Sequence, residues 1–244
     1  MRETERKTSS RPLIYLASGS VQRKTILEEL GISYQPLTVD AEEIVAATAH
    51  ETVEENASRK LLAGLRIAGR GAIVIAADTV LEVQGRLLGK PANEAMALQY
   101  LQMLSGAAAT AYSAVAVAAA GESEGCLATE TAEVHFKILP PEVIEWYLST
   151  GEPMGRAGAF GISRLGEVLT KSIDGCHSCI AGLPKTALLL ALARVAGEVG
   201  ANDYSPVLRK VPAGLVGDRV QLRSLAVRVG HEVDHRHNDQ REQR

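Results

Sequence analysis

The sequence predicts an α/β protein: a mixed, twisted sheet with helices on both faces. Three observations predict it. Short apolar runs alternate with amphipathic helical stretches over the first hundred residues, as in β-α-β units. The run 72–77 is continuous, small and apolar, the pattern of a strand buried on both faces. Two long β-rich stretches at 110–119 and 126–138 flank a turn at 121–125, the pattern of an antiparallel pair in the middle of the chain.

Taken in order, residues 13–17 form a short buried strand. It runs into Ser18-Gly19-Ser20 and a helix over 21–30, closed by Gly31, with Ser20 placed as its N-cap. A second strand covers 34–39, and the acidic loop Asp40-Ala41-Glu42-Glu43 follows it. A longer helix spans 53–68. The strand 72–77 ends at Asp78-Thr79, and the chain continues extended through 80–83 to a turn at Gln84-Gly85. Asn93 caps a helix to Leu104, and Ser105-Gly106 stops it. After the strand pair, Pro140-Pro141 opens a helix to Leu148, since proline is tolerated in a first turn. The Gly-rich segment 155–166 precedes a strand over 167–173, and 183–199 is the last helix. Residues 1–10 read as a flexible leader and 11–200 as the domain. Residues 201–244 read as an extension that is partly disordered, most of all at 232–244, which are almost wholly polar.

Composition narrows the function classes. Hydrophobic residues at 46% supply a core, and a net charge of -3 lacks the basic balance of a general nucleic-acid binder. Three cysteines are too few for a disulfide scaffold, and neither a signal peptide nor a long apolar span is present, so the expectation is a soluble cytoplasmic protein.

Four features can carry chemistry. The strand–Ser18-Gly19-Ser20–helix junction offers free backbone amides and the positive end of a helix dipole, a ready phosphate site. Arg23 and Lys24 sit in the first turn, where cations are unfavourable unless an anion is bound nearby. Asp78-Thr79 lies at the end of a buried strand, where a carboxylate holds a divalent cation, orients water, or merely caps a turn. Lys90, stiffened by Pro91, and Lys60 on the long helix are further candidate phosphate contacts. The pair Cys176 and Cys179 invites a zinc or redox reading, although no second such pair exists. No GxGxxG follows the first strand, which argues against a Rossmann dehydrogenase.

Together these pieces form a colinear pattern over about residues 12–198. IYLASGSVQRKTILEELGISYQPL resembles the opening ASxSPRR segment of Maf proteins, and IVIAADTVLEVQGRLLGKPANEAMALQYLQMLSG resembles their ADT…GKP segment. HFKILPPEVIEWYLSTGEPMGRAGAFGI resembles EPxxKAGAYGI, and IDGCHSCIAGLP resembles the closing loop before the last helix. The resemblance implies an inosine triphosphate pyrophosphatase-like fold, a divalent metal cofactor (Mg or Mn), a homodimer, and conversion of a nucleoside triphosphate to monophosphate and pyrophosphate. The wording sits nearer the dTTP/UTP branch. It puts Asp78 on the family's catalytic carboxylate. It puts Ser20, Arg23, Lys60, Thr79 and Lys90 on phosphate- and substrate-contacting positions, and Ser163 on the position tied to base choice. The metal would rest on Asp78, helped by Asp40 or Glu42.

This chain departs from the pattern at Val21 and Gln22 (family proline and arginine), at Ala108-Ala109 (threonine-histidine), at Arg156 (lysine) and at Ser163 (glutamine or glutamate). Two other readings remain open: a nucleotide-binding regulatory protein of the same fold that has lost catalysis, and a zinc module built on Cys176 and Cys179.

Overall fold

The computed structural model describes residues 13–162, 164–198 and 220–227. The leader, the polar tail and Ser163 lie outside the described residues. The chain runs β1 (Ile14–Leu16), α1 (Val21–Glu29), β2 (Gln35–Pro36), α2 (Ala49–Ile67), β3 (Ile73–Val83), β4 (Arg86–Leu88) and α3 (Glu94–Leu104). It continues through β5 (Ala108–Ala119), β6 (Glu124–Phe136), α4 (Pro141–Ser149), β7 (Thr170–Gly175), α5 (His177–Ile180), α6 (Lys185–Glu198) and β8 (Val220–Ala226).

Among the described residues one mixed sheet carries eight strands. Its order is β2-β1-β3-β5-β6-β7, with β4 on β3 and β8 on β6. The β2–β1–β3 part is parallel and the remainder antiparallel. The period-2 alternation of β3 sorts its side chains. Ile73, Ile75 and Ala77 pack with α1 and α6 residues such as Leu27, Leu188 and Leu192 on one face. Val74, Ala76 and Val80 pack with Val53, Ala57 and Leu61 of α2 on the other. Farther along the first face, Leu81 and Val83 join Leu101 and Leu104 of α3 and Ile144 and Tyr147 of α4. Helices therefore cover both faces, as the alternating pattern predicts. At Gly64 a Cβ would lie 2.8 Å from Val74 Cγ1, so glycine suits the packing of α2 against β3.

The expected caps form. Ser20 Oγ accepts from Arg23 N, Asn93 Oδ1 accepts from Met96 N at 2.9 Å, and Pro141 occupies the first turn of α4.

Several boundaries differ from expectation. Helix α2 begins at Ala49, not 53, because Thr48 Oγ1 accepts from Glu51 N at 3.1 Å and caps an earlier turn. Residues 167–169 complete a tight 3-10 segment, so β7 starts at Thr170. Strand β8, within the 201–244 extension, was not anticipated; it pairs antiparallel with β6 from Glu124↔Ala226 to Glu130↔Val220.

Most consequential, β3 does not end at Asp78-Thr79. It continues through them, paired Asp78↔Ala114 and Thr79↔Ser113 with β5. On its other edge β1 pairs up to Ile75 and β4 begins opposite Leu81. Asp78 and Thr79 thus sit mid-strand, beside a gap in the ladder at the carboxyl end of β1. Ligand sites of open α/β sheets form at such places.

Candidate functional site

The gap opens into two adjoining cavities. One, of about 360 Å³, is lined by Ser20, Gln22, Asp78, Thr79, Arg156 and Phe160 among others. The second, of about 460 Å³, is lined by the Ser18-Gly19-Ser20 turn with Lys24 and Lys60. Ser20, Arg23, Glu43, Lys90 and Gly155 border both.

Asp78, an even position of β3, points toward α2 and is 6% exposed. A buried carboxylate needs partners. Two residues one helical turn apart on α2 supply them: Lys60 Nζ donates to Oδ1 at 2.6 Å and Asn56 Nδ2 to Oδ2 at 3.2 Å. Lys60 Nζ also lies 2.6 Å from Glu43 Oε1. Asn56 fixes the Glu43 loop as well, accepting from Ile44 N at 2.8 Å and donating to Ile44 O at 3.0 Å. Burial pushes the Glu43 carboxyl up, but the hydrogen bond and charge of Lys60, with the charges of Lys90 and Arg23, outweigh it and hold the group below its ordinary value.

Thr79, an odd position, points to the opposite face. Its hydroxyl shares a hydrogen bond with Ser113 Oγ at 2.9 Å. Arg23 Nη2 donates to it at 3.4 Å, Arg23 Nε donates to Gly182 O at 2.8 Å, and Nη1 donates to Ser18 Oγ at 3.0 Å. Arg23 thereby ties together the β1–α1 turn, β3 and the loop before α6. Burial lowers its pKa, while the charges of Asp78 and Glu43 act the other way. Part of the reason for a cation in this first turn is therefore structural: it turns inward onto a backbone carbonyl, whereas Lys24 is half-buried and borders the second cavity.

Of the residues singled out in the sequence, Ser20, Arg23, Lys60, Asp78, Thr79 and Lys90 all border one or both cavities. Glu42 does not; its neighbour Glu43 borders both and lies 2.6 Å from Lys60 Nζ. Ser163 cannot be located, because it lies outside the described residues. Ala109 is buried in β5 opposite Val134, within the α3–α4 core, so that departure lies away from the cavities. Cys179 is buried beneath the sheet, its thiol donating to Glu130 O at 3.1 Å; Cys176 Sγ lies 2.9 Å from Ser178 Oγ. Burial, and the charges of Glu130 and Cys176, push the Cys179 thiol well above the usual range.

Sequence reasoning missed Asn56, Glu43 and the partnership of Gln22 with Arg156. A signal existed for Asn56: it shares the α2 face of Val53, Ala57 and Lys60, where a polar residue without a role is unusual.

For a divalent cation the donor set is hard and oxygen-based. Asp78 and Glu43 converge on one lysine amine, and two carboxylates plus phosphate oxygens suit Mg²⁺. Among the described residues no group of three or more His, Cys, Asp or Glu side chains assembles, at this site or elsewhere.

The Maf-like protein family model matches residues 13–195. A dTTP/UTP pyrophosphatase of Pelotomaculum thermopropionicum is 38% identical over 179 residues, covering 72% of this chain and 92% of that protein. One from Desulforamulus reducens is 35% identical over 191 residues (78% and 99%), and one from Salmonella typhimurium 35% over 173 residues (70% and 87%). Among solved structures, the Staphylococcus aureus Ham1 protein aligns at 18% identity with a TM-score of 0.44, covering 76% of this chain and 98% of that one.

Proposed function

The chain belongs to the Maf family, and from that premise we propose that it hydrolyses a nucleoside triphosphate, dTTP or UTP by its likeness to these relatives, to the monophosphate and pyrophosphate. The observation that carries this reading is convergence. A buried carboxylate, an amide-lined turn at a helix start, and cations from three separate elements border one opening. Asp78, Lys60 and Lys90 are all retained there, and no observation favours a silent regulatory protein.

The triphosphate lies along the Ser18–Ser20 turn, its charge met by the first amides of α1. Lys60, Lys90, Lys24 and Arg23 neutralise the phosphates and the departing pyrophosphate, more effectively in a cleft than in open water. Asp78 orients a water and accepts its proton as the water oxygen bonds to the α-phosphorus. The α-phosphorus–oxygen bond toward the β-phosphate breaks, and pyrophosphate leaves. Lys60 and Asn56 hold the Asp78 carboxylate in one orientation throughout. A divalent ion held by Asp78 and Glu43 would supply further charge neutralisation at the phosphates.

The test is product analysis with purified protein, Mg²⁺ and a nucleotide panel, with pyrophosphate detected directly. Orthophosphate and diphosphate as products would sink the proposed bond cleavage. The resemblance further supports a homodimer in the cytoplasm, which light scattering of the purified protein and fractionation of cells would test. Among the described residues, no helix is long and apolar enough to cross a membrane.

A further inference from the structure

The hydrolysis above makes no use of the pair Cys176 and Cys179. We propose that this pair is a redox modification site, which a small-molecule disulfide converts to an intramolecular disulfide, and, resting on the hydrolase reading, that the new bond slows hydrolysis by loosening Arg23.

The backbone places the two cysteines for such a bond. Cys176 precedes the single turn of α5 and Cys179 lies within it. Cys179 N donates to Cys176 O at 3.0 Å. A turn closed in this way keeps its end Cα atoms within about 7 Å, and a disulfide spans about 4.4–6.8 Å between Cα atoms. Both side chains pack into one apolar cluster, with Ala111 of β5 and Ala132 of β6. Among the described residues no group of three His, Cys, Asp or Glu side chains that could hold a metal ion forms around them.

The two thiols differ in reactivity. Cys176 is half-buried and meets the reagent first. Cys179 is buried, and burial, with the charges of Glu130 and Cys176, keeps its thiol protonated. The Cys176 thiolate attacks one sulfur of glutathione disulfide, whose sulfur–sulfur bond breaks and releases one glutathione thiolate. Cys179 then gives its proton to solvent, attacks the Cys176 sulfur and expels the second glutathione thiolate. Two cysteine thiols are oxidised and one glutathione disulfide is reduced to two thiols. The two protons lost by the cysteines end on the two glutathiones.

This bond has a short route to the cleft. To reach Cys176, the Cys179 sulfur must leave the carbonyls of Glu130 and Ala111, 3.1 and 3.7 Å away. Helix α5 has only four residues and is tied to the loop after it, because Cys179 O accepts from Gly182 N at 3.1 Å. Gly182 O in turn accepts from Arg23 Nε at 2.8 Å. Ile180, Ala181 and Gly182 line the cavity that contains Asp78. A shift of α5 therefore passes through two hydrogen bonds into Arg23.

The experiment equilibrates the full chain in glutathione buffers from fully reduced to fully oxidised and traps free thiols by alkylation. The mass of the tryptic peptide 172–185, which carries both cysteines, reads the disulfide, and kcat/KM for UTP is measured on the same samples. Oxidation should leave this peptide unalkylated and lighter by two hydrogens than its reduced form. It should lower kcat/KM by roughly 10–100-fold, the size of one hydrogen bond to a charged group, and dithiothreitol should restore it. Cys176→Ser, treated alike, keeps its activity. A pair that stays reduced in glutathione disulfide alone overturns the proposal, as does one that stops at a mixed disulfide on Cys176. So does a disulfide that forms with kcat/KM unchanged, or an equal loss in Cys176→Ser. If that variant does not fold, Cys176→Ala takes its place; if neither folds, failure of dithiothreitol to restore the wild type overturns the proposal. A reduced wild type that releases pyrophosphate from no nucleotide sinks the hydrolase reading alone. The peptide mass still reads the disulfide, and equal calorimetric affinities of the reduced and oxidised protein for UTP then overturn its coupling to Arg23.

Discussion

Replacing Lys60 with methionine separates an electrostatic account of the site from a merely steric one. Methionine keeps most of the buried stem and removes the amine that lies 2.6 Å from both Glu43 Oε1 and Asp78 Oδ1. Those two oxygens are then like-charged neighbours no more than 5.2 Å apart, twice the 2.6 Å bond length. At ~5 Å the repulsion is about 3 kcal/mol at an effective dielectric of 20 and under ~1 kcal/mol in water. Since Glu43 is half exposed, about 1–2 kcal/mol is the reasonable range. In the wild type the Glu43 carboxyl is held low, so it contributes stability above its unfolded pKa, and this is lost as pH falls through the folded value. In the variant the same group is pushed up, so acid relieves the repulsion and stability returns as pH falls through the raised value. Both effects have the same consequence. The stability gap between wild type and Lys60→Met, wide at pH 7, narrows by about 1–2 kcal/mol toward pH 4, or roughly 2–8 °C in Tm for a chain of this size. The assay is thermal or urea unfolding across pH without divalent ions, so it does not depend on turnover. A gap that stays constant within ~0.5 kcal/mol, or widens on acidification, would refute the reasoning.

Asp78→Asn should lower kcat by roughly 10²–10⁴-fold with folding retained, the usual loss when a positioned general base is removed; pyrophosphate release under saturating UTP measures it. Arg23→Lys cannot reproduce three divergent bonds to Gly182 O, Ser18 Oγ and Thr79 Oγ1, and should reduce both turnover and Tm; a Tm equal to the wild type would show that the ties carry no stability. Gly166→Ala places a Cβ 1.9 Å from Gly161 O, a backbone atom that cannot swing aside, and should cost about 3 kcal/mol or abolish folding, read by denaturant unfolding. Leu101→Ala opens a cavity in the fully buried α3 core and should cost about 2–5 kcal/mol without changing KM, since Leu101 borders neither cavity.

Much of this protein is local information, and local information is legible in a linear chain. Apolar periodicity marked helices on both faces of a mixed sheet, and Ser20, Asn93 and Pro141 marked helix starts because a cap is a contact between near neighbours. The resemblance to Maf proteins marked Asp78, Lys60 and Lys90 as one set. Register and partner choice are not local. That β3 runs on through Asp78 follows from pairing with β5, some thirty-five residues away, and from Asn56 and Lys60 removing the cost of a buried carboxylate. The acidic loop was visible as a group, but the choice of Glu43 over Glu42 waits on Asn56 clamping the backbone of Ile44. Strand β8 was invisible because its burial pattern is mostly exposed; its place comes from the open edge of β6. Part of the candidate site's composition was thus written in the order of the residues. Its charge pairing, and the joining of Gln22 to Arg156 across the chain, were decided only where folding brought desolvated groups together and left each polar atom to find a partner.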